Sequence, residues 1–229
     1  DPFPQHRLRL DNIVRAQGII APEFLHSPQY ECEALSEAFG SRVLLKVETA
    51  NPIRSFKGRG GWYLVARRHA EGALASRRVI SASAGNWGQA LAYACRAHGL
   101  PITIYASVNA NPLKIEMMRK LGADMVLEGD DFDAAKLAAQ SFARETGGVM
   151  LEDGRDPEAS EGAGTMAVEL LQGKVQPDVL LVPLGNGAML TGIARWVKAV
   201  SPQTQIIGVQ AAGADSMEKS WRQKRVSSA

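Results

Sequence analysis

The sequence predicts an α/β protein built on open parallel sheets covered by helices, and three observations carry that prediction. Short apolar runs alternate along the chain with stretches of helical period. The apolar runs are apolar throughout, as strands buried on both faces are. Helix-punctuating residues stand between the segments: Gly40, Gly99, Asn111 with Pro112, and Gly122.

Taken in order, residues 1–30 are dotted with proline and are expected to form an irregular arm with one short helix within 8–20. A helix over 31–39 is closed by Gly40, and a mostly apolar strand over 42–48 leads into a lysine-bearing loop. A helix over 56–68 precedes a short buried strand at 79–81, which empties into the loop 83–86. Then come a helix over 87–98, a strand at 102–105, and a helix started by Asn111 and Pro112 with Ile115, Met118 and Leu121 on one face. A strand at 124–127 is followed by a helix over 131–145, whose period runs through Phe132, Leu137 and Phe142. The strand 149–151, a helix over 160–171, the continuous apolar strand 178–183, a helix over 188–200 and a strand at 206–210 complete the alternation. The basic tail 219–225 is expected to be simply solvated.

Bulk properties exclude several classes of function. With 229 residues, 45% of them hydrophobic, the chain can fill one large core or two small ones. The 26 Lys and Arg against 24 Asp and Glu leave a net charge of +2, too balanced for a nucleic-acid surface. No apolar run approaches the roughly 18–20 residues that a membrane helix needs. The opening Asp1-Pro2-Phe3-Pro4 lacks the basic-then-apolar order of a signal peptide, so the expectation is a cytoplasmic protein with no membrane partner. Cys32 and Cys95 lie far apart and His6, His26, His69 and His98 are scattered, which argues against a metal site.

Three stretches carry chemistry. Ser55-Phe56-Lys57-Gly58-Arg59-Gly60-Gly61 sets a lysine at a strand exit, where glycines permit close approach of a flat ligand. An amine fixed there suits a Schiff base to a carbonyl cofactor, although a solvated lysine in a turn is the commoner meaning of such a stretch. Gly185-Asn186-Gly187-Ala188-Met189 follows a strand and opens a helix, an arrangement that exposes main-chain N–H groups to a phosphate. A dinucleotide fingerprint fails because Leu190 stands where its third glycine belongs, and no P-loop signature occurs. Ser83-Ala84-Gly85-Asn86 also precedes a helix, so its N–H groups suit a carboxylate, and the Asn86 amide can donate to a phenolate. Asn86 can equally serve as a plain helix cap.

With all three stretches in this order, the chain resembles the fold type II pyridoxal-phosphate enzymes, the tryptophan synthase beta superfamily. It is most similar to the threonine and serine dehydratases and the serine racemases, from about residue 43 to 221. The resemblance implies two parallel-sheet domains with pyridoxal 5'-phosphate in the cleft between them. A large domain would comprise 1–82 plus 157–229, and a small mobile one 83–156. It implies Lys57 as the catalytic residue and covalent cofactor anchor. Asn86 would meet the cofactor's ring oxygen, and Gly185, Asn186, Gly187, Ala188 and Met189 its phosphate. Ser83, Ala84, Gly85 and Asn86 would bind an amino-acid substrate. A homodimer is implied as well.

The implied reaction is deamination of a small hydroxy amino acid by β-elimination, giving a keto acid and ammonia. A β-replacement enzyme of the same superfamily and a non-catalytic amino-acid or phosphate binder are the alternatives. Departures bear on the choice. Trp87 stands where many relatives have histidine, and Leu151-Glu152-Asp153-Gly154-Arg155-Asp156 replaces a His-Pro-Phe-Asp-like run, leaving Arg155 as a surface residue or a sign of an acidic substrate. Glu161-Gly162-Ala163-Gly164-Thr165 resembles a helix-opening run of dehydratases and reads as helix packing. Ala84 replaces the second serine of the racemases, and Gln210 and Ser216 stand where their cation site has acids, so no metal dependence is expected. In the superfamily the large domain continues beyond the strand 206–210, so an uncovered sheet edge or apolar face is expected here, covered by a further segment outside these 229 residues in preference to another chain.

Overall fold

A computed structural model describes residues 5–173 and 176–227; Asp1 to Pro4, the opening of the expected arm, and the last two residues of the tail lie outside the described residues. The chain forms two compact units, Ile19–Glu152 and the pair Asp1–Gly18 with Asp153–Ala229. The expected partition into 1–82 plus 157–229 and 83–156 cuts the chain elsewhere. Residues 19–82 join 83–152 here because the helix after the lysine loop packs directly on the helix after the 83–86 turn, as described below.

The unit Ile19–Glu152 begins with a 3-10 turn at Pro22–Phe24, strand β1 (Gln29–Glu31), helix α2 (Glu33–Phe39) and strand β2 (Leu44–Lys46); helix α1 (Leu10–Gln17) belongs to the other unit. Gly40 closes α2 at φ 58°, the left-handed conformation that a glycine cap adopts without strain. Strand β2 pairs antiparallel with β1, so the strand leading to the lysine loop is not part of a parallel sheet, and the expected arm holds a strand. The ladder forms because 29–31 offer unpaired main-chain groups to a short β-branched and leucine run.

Next come α3 (Lys57–Ala70), β3 (Val79–Ala82), α4 (Asn86–Ala97), β4 (Ile102–Ala106), α5 (Pro112–Lys120), β5 (Asp124–Leu127), α6 (Phe132–Thr146) and β6 (Val149–Met150). Their sheet runs β5-β4-β3-β6 with every pair parallel, and β3 and β4 are buried along their whole length. Asn111 caps α5 by accepting the Leu113 N–H at 2.9 Å, with Pro112 at the first helical position. In α6 the structure corrects the expected face: Ala135, Ala139 and Ala143 turn inward with Phe142 partly buried, while Phe132 and Leu137 are 53% and 66% exposed. Alanines four apart share one helix face and let the backbone lie close on Ile80, Ala82 and Tyr105 of the sheet. Cys95 on α4 is buried, and burial pushes its thiol up to about 12.

The other unit combines α1 with α7 (Pro157–Leu171), β7 (Val179–Pro183), α8 (Ala188–Val200), β8 (Gln205–Val209) and α9 (Ser216–Gln223). The expected solvated tail is in part the helix α9, though Trp221 on it is exposed. Helix α7 is buried nearly all round. At its crossing with α8 a Cβ on Gly192 would stand 2.0 Å from the Ser160 carbonyl oxygen, and Gly164 meets Gly192 in turn, so the 161–165 run does serve helix packing. The Glu161 carboxylate accepts the Arg9 N–H and the Asn12 amide, both at 2.9 Å, and so satisfies the start of α1.

Strands β7 and β8 form a parallel pair with Leu181 opposite Ile207 and Pro183 opposite Val209. The two-sided cover that apolar parallel strands ask for is absent here among the described residues, in keeping with the expected uncovered face. Val182 is buried and Gly208 packs on Leu190 of α8, whereas Leu181, Ile207 and Val209 on the opposite face are 68%, 39% and 52% exposed. No helix among the described residues is long and apolar enough to cross a membrane.

Candidate functional site

The lysine loop is built by hydrogen bonds that its sequence does not advertise. Asn51 Oδ1 accepts the N–H groups of Ile53 and Ser55 at 3.2 Å each, and its Nδ2 donates to the carbonyls of Glu48 and Ser55. The turn delivers Ser55, whose hydroxyl accepts the Lys57 N–H at 3.3 Å, and Lys57 opens α3 half-buried, its Nζ 4.8 Å from the Phe56 ring centroid. Two residues on, Arg59 is fully buried and grips Glu48, with Nε and Nη2 each 2.9 Å from one carboxylate oxygen. Ser27 closes this network by donating its hydroxyl to Glu48 and accepting from Arg59.

Gly58 and Gly61 do not leave the open main-chain face that the sequence suggests. A Cβ on Gly58 would sit 2.3 Å from the Phe24 ring, and one on Gly61 2.7 Å from the Ala90 Cβ. The close approaches are therefore to the chain's own side chains. The second of them has a consequence for the site, because Gly61 lies four residues after Lys57 and Ala90 four after Asn86. Each of these two residues stands about 6 Å along its helix, one turn, from the point where α3 and α4 touch.

Asn86 opens α4 at the carboxyl end of β3. In the order β5-β4-β3-β6 the chain turns back after β5 to place β6 on the far side of β3, so β3 is where the strand order reverses. Open parallel sheets bind ligands at the strand ends beside such a reversal. Within the 83–86 turn Ser83 is buried and its hydroxyl accepts the N–H groups of Gly85 and Gly88 at 3.2 and 3.0 Å. Ser83 thus shapes the turn, and among the described residues the first-turn N–H groups of Asn86 and Trp87 are left without an acceptor. Ala84 and Asn86 are exposed, Gly85 half-buried. Trp87 is core: it is 4% exposed and its Nε1 donates to Ser81 Oγ at 3.2 Å.

The loop 185–189 belongs to the other unit. Leu184 N–H donates to Val209, after which the chain leaves the sheet, and Gly187 caps α8 at φ 87°, a conformation that a side chain would strain. Asn186 Oδ1 accepts the Ala188 N–H at 3.2 Å. Among the described residues no group accepts from the N–H of Gly185, Asn186, Gly187 or Met189, which leaves a row of donors at a positive helix end. Gly185 and Asn186 are exposed, while Ala188 is buried. A Cβ on Gly185 meets nothing within 4 Å, so Gly185→Val should leave the fold intact while its bulk obstructs an anion over the loop. We expect cofactor binding in that variant to weaken by about tenfold or more, the scale of one or two lost N–H contacts. Equilibrium dialysis against pyridoxal 5'-phosphate measures it, and unchanged affinity would count against the loop.

The replaced 151–156 run is also placed. Glu152 pairs with Lys136 at 2.8 Å, and Arg155 is exposed, its carbonyl accepting from Arg7 at 3.2 Å. Asn51, Glu48 and Ser27 are the residues that motif reading missed. An Asn-Pro pair ahead of the lysine was the available signal for the turn, whereas nothing local links Ser27 or Glu48 to Arg59.

A reversal-point turn with spare N–H donors, a lysine at the head of the adjoining helix and a second glycine-bearing loop with spare N–H donors stand beside what the comparisons find. The chain belongs to the pyridoxal-phosphate dependent enzyme family, whose model matches residues 20–229. The L-threonine ammonia-lyase of Thermotoga maritima is 34% identical over 218 residues, 95% of this chain and 54% of that protein. The L-threonine dehydratase biosynthetic IlvA of Corynebacterium glutamicum is 33% identical over 219 residues, 92% of this chain and 50% of that protein. Among solved structures, the processed form of threonine deaminase isoform 2 from Solanum lycopersicum matches with a TM-score of 0.85 at 29% identity, covering 95% of this chain and 61% of that one. Maize serine racemase matches with a TM-score of 0.90 at 24% identity over 98% of this chain and 68% of that one, a likeness of fold. The chain spans about half the length of the curated relatives it matches.

Proposed function

We propose that the protein uses pyridoxal 5'-phosphate to deaminate a small hydroxy amino acid, serine, threonine or an analogue, by β-elimination to a keto acid and ammonia. The observation that carries this reading is that Lys57 and Asn86 each head one of two helices in contact, one turn along its own helix from the Gly61–Ala90 contact. The residues fit the group: an amine for its carbonyl, an amide donor for its ring oxygen, and a row of N–H groups for its phosphate. When bound, the cofactor supplies an electron sink for the substrate's α-carbon. Lys57 would hold the cofactor through its carbonyl carbon, and its amine would serve as the base for the substrate's α proton. Asn86 donates its amide to the ring oxygen. Gly185, Asn186, Gly187, Ala188 and Met189 bind the phosphate, with the Ala188 N–H already engaged by Asn186. The turn of Ser83, Ala84, Gly85 and Asn86 receives the substrate carboxylate at the N–H groups that the Ser83 hydroxyl leaves open.

A small domain of residues 83–156 that moves over the substrate, a homodimer and a cytoplasmic setting belong to the same reading and rest on the family resemblance. The similarity to threonine ammonia-lyases supports the choice of substrate. The test is the purified chain loaded with pyridoxal 5'-phosphate and given L-serine or L-threonine. Keto acid and ammonia should form in equal amounts, and a visible band should vanish with borohydride. A colourless protein with no turnover of either substrate would refute the proposal.

Elimination should also outrun racemisation, because Ala84 is exposed and its methyl has no proton to deliver where the resemblance to the racemases implies a second serine. Chiral chromatography of the serine left after partial turnover should find almost no D-enantiomer. Rapid accumulation of D-serine would contradict this assignment.

A further inference from the structure

The third residue of α5 is a lysine, a place in the first turn where the helix dipole disfavours a cation. A residue set against its local preference is a reason to ask what its side chain does. Lys114 Nζ donates to Asn86 Oδ1 at 3.1 Å. An ammonium group has donors and no acceptor, so the amide must turn its oxygen to Lys114 and its NH2 away. The orientation of an asparagine amide is often a matter of choice; here the chemistry of its partner decides it. Among the described residues no group accepts from that NH2, and Asn86 is exposed at the head of α4.

We propose that Lys114 is a positioning residue for Asn86. It locks the amide with its NH2 presented to a ligand acceptor, and it sets a fixed positive charge behind that donor. Without it the amide can rotate and offer its oxygen, which repels an anionic acceptor instead of binding it. This rests on the reading above in which Asn86 meets the ring oxygen of pyridoxal 5'-phosphate. Lys114 is half-buried at the surface and its replacement leaves the core of α5, Ile115 and Met118, untouched.

The experiment compares wild type, Lys114→Met, Lys114→Arg, Asn86→Ala and the double variant Lys114→Met with Asn86→Ala, each titrated with pyridoxal 5'-phosphate and followed by absorption at one pH. Lys114→Met should weaken cofactor binding by about tenfold or more, the ratio that one charge-assisted hydrogen bond carries. It should also shift absorbance from the long-wavelength band of the ionised ring oxygen to the short-wavelength band of the neutral one. Lys114→Arg, which keeps a donor, should restore most of both. In the Asn86→Ala background the Lys114→Met change should do little, since the amide it positions is gone. Wild-type affinity and band ratio in Lys114→Met would overturn the inference, as would an equal effect with and without Asn86. A wild-type chain that takes up no cofactor would instead overturn the functional reading, and this inference with it.

Discussion

Lys57→Ala is expected to abolish the cofactor-bearing peptide in borohydride-reduced, digested protein and to lower turnover by about 10²- to 10⁴-fold, the range for loss of a positioned base. The lysine is placed by its backbone: the Asn51-organised turn delivers Ser55, and the Ser55 hydroxyl takes the Lys57 N–H as α3 begins. The nearest rival in sequence, Lys46, has its ammonium committed to the Ser27 carbonyl at 3.0 Å on strand β2. Peptide mapping by mass spectrometry discriminates the two, and a label found on Lys46 would sink the assignment. The variant should keep its far-ultraviolet circular dichroism, because the amine contributes nothing to the Gly61–Ala90 packing that holds the helix.

Much of this was readable because it is local. Glycine and proline punctuation, with an asparagine cap, placed the start or stop of α2, α4 and α5, since each works through the few residues around it. The three motif stretches were visible for the same reason: a strand exit, small residues and a helix start are consecutive in the chain. What failed was long-range. The alanine face of α6 looks weaker than its phenylalanines until the sheet beneath requires a close backbone approach, and the glycines after Lys57 read as room for a ligand until Phe24 and Ala90 arrive from elsewhere. The uncovered sheet face was foreseen, but which residues of β7 and β8 form it was not, because an all-apolar strand does not say which side meets α8. Lys114 drew no notice, since its partner lies 28 positions away on another helix.

The second large effect is on stability and falls on another long-range pair. Glu48→Ala is expected to destabilise the protein by about 3–5 kcal/mol, the cost of leaving a buried charge without its partner. Arg59 is 0% exposed and Glu48 holds it with two hydrogen bonds of 2.9 Å, so the arginine cannot turn to water when the carboxylate is removed. The Ser27 hydroxyl that it also meets at 3.2 Å is neutral and cannot replace a carboxylate. The pair also joins the end of the lysine loop's leading strand to the first turn of α3, two residues beyond Lys57, so loosening it should blur the position of the amine. Urea unfolding of the wild type and of Glu48→Ala reads the cost directly. The double variant Glu48→Leu with Arg59→Met should recover most of it, because a buried ion pair replaced by apolar groups of similar volume is often neutral. A Glu48→Ala midpoint equal to wild type would mean that the pair holds neither the fold nor the lysine.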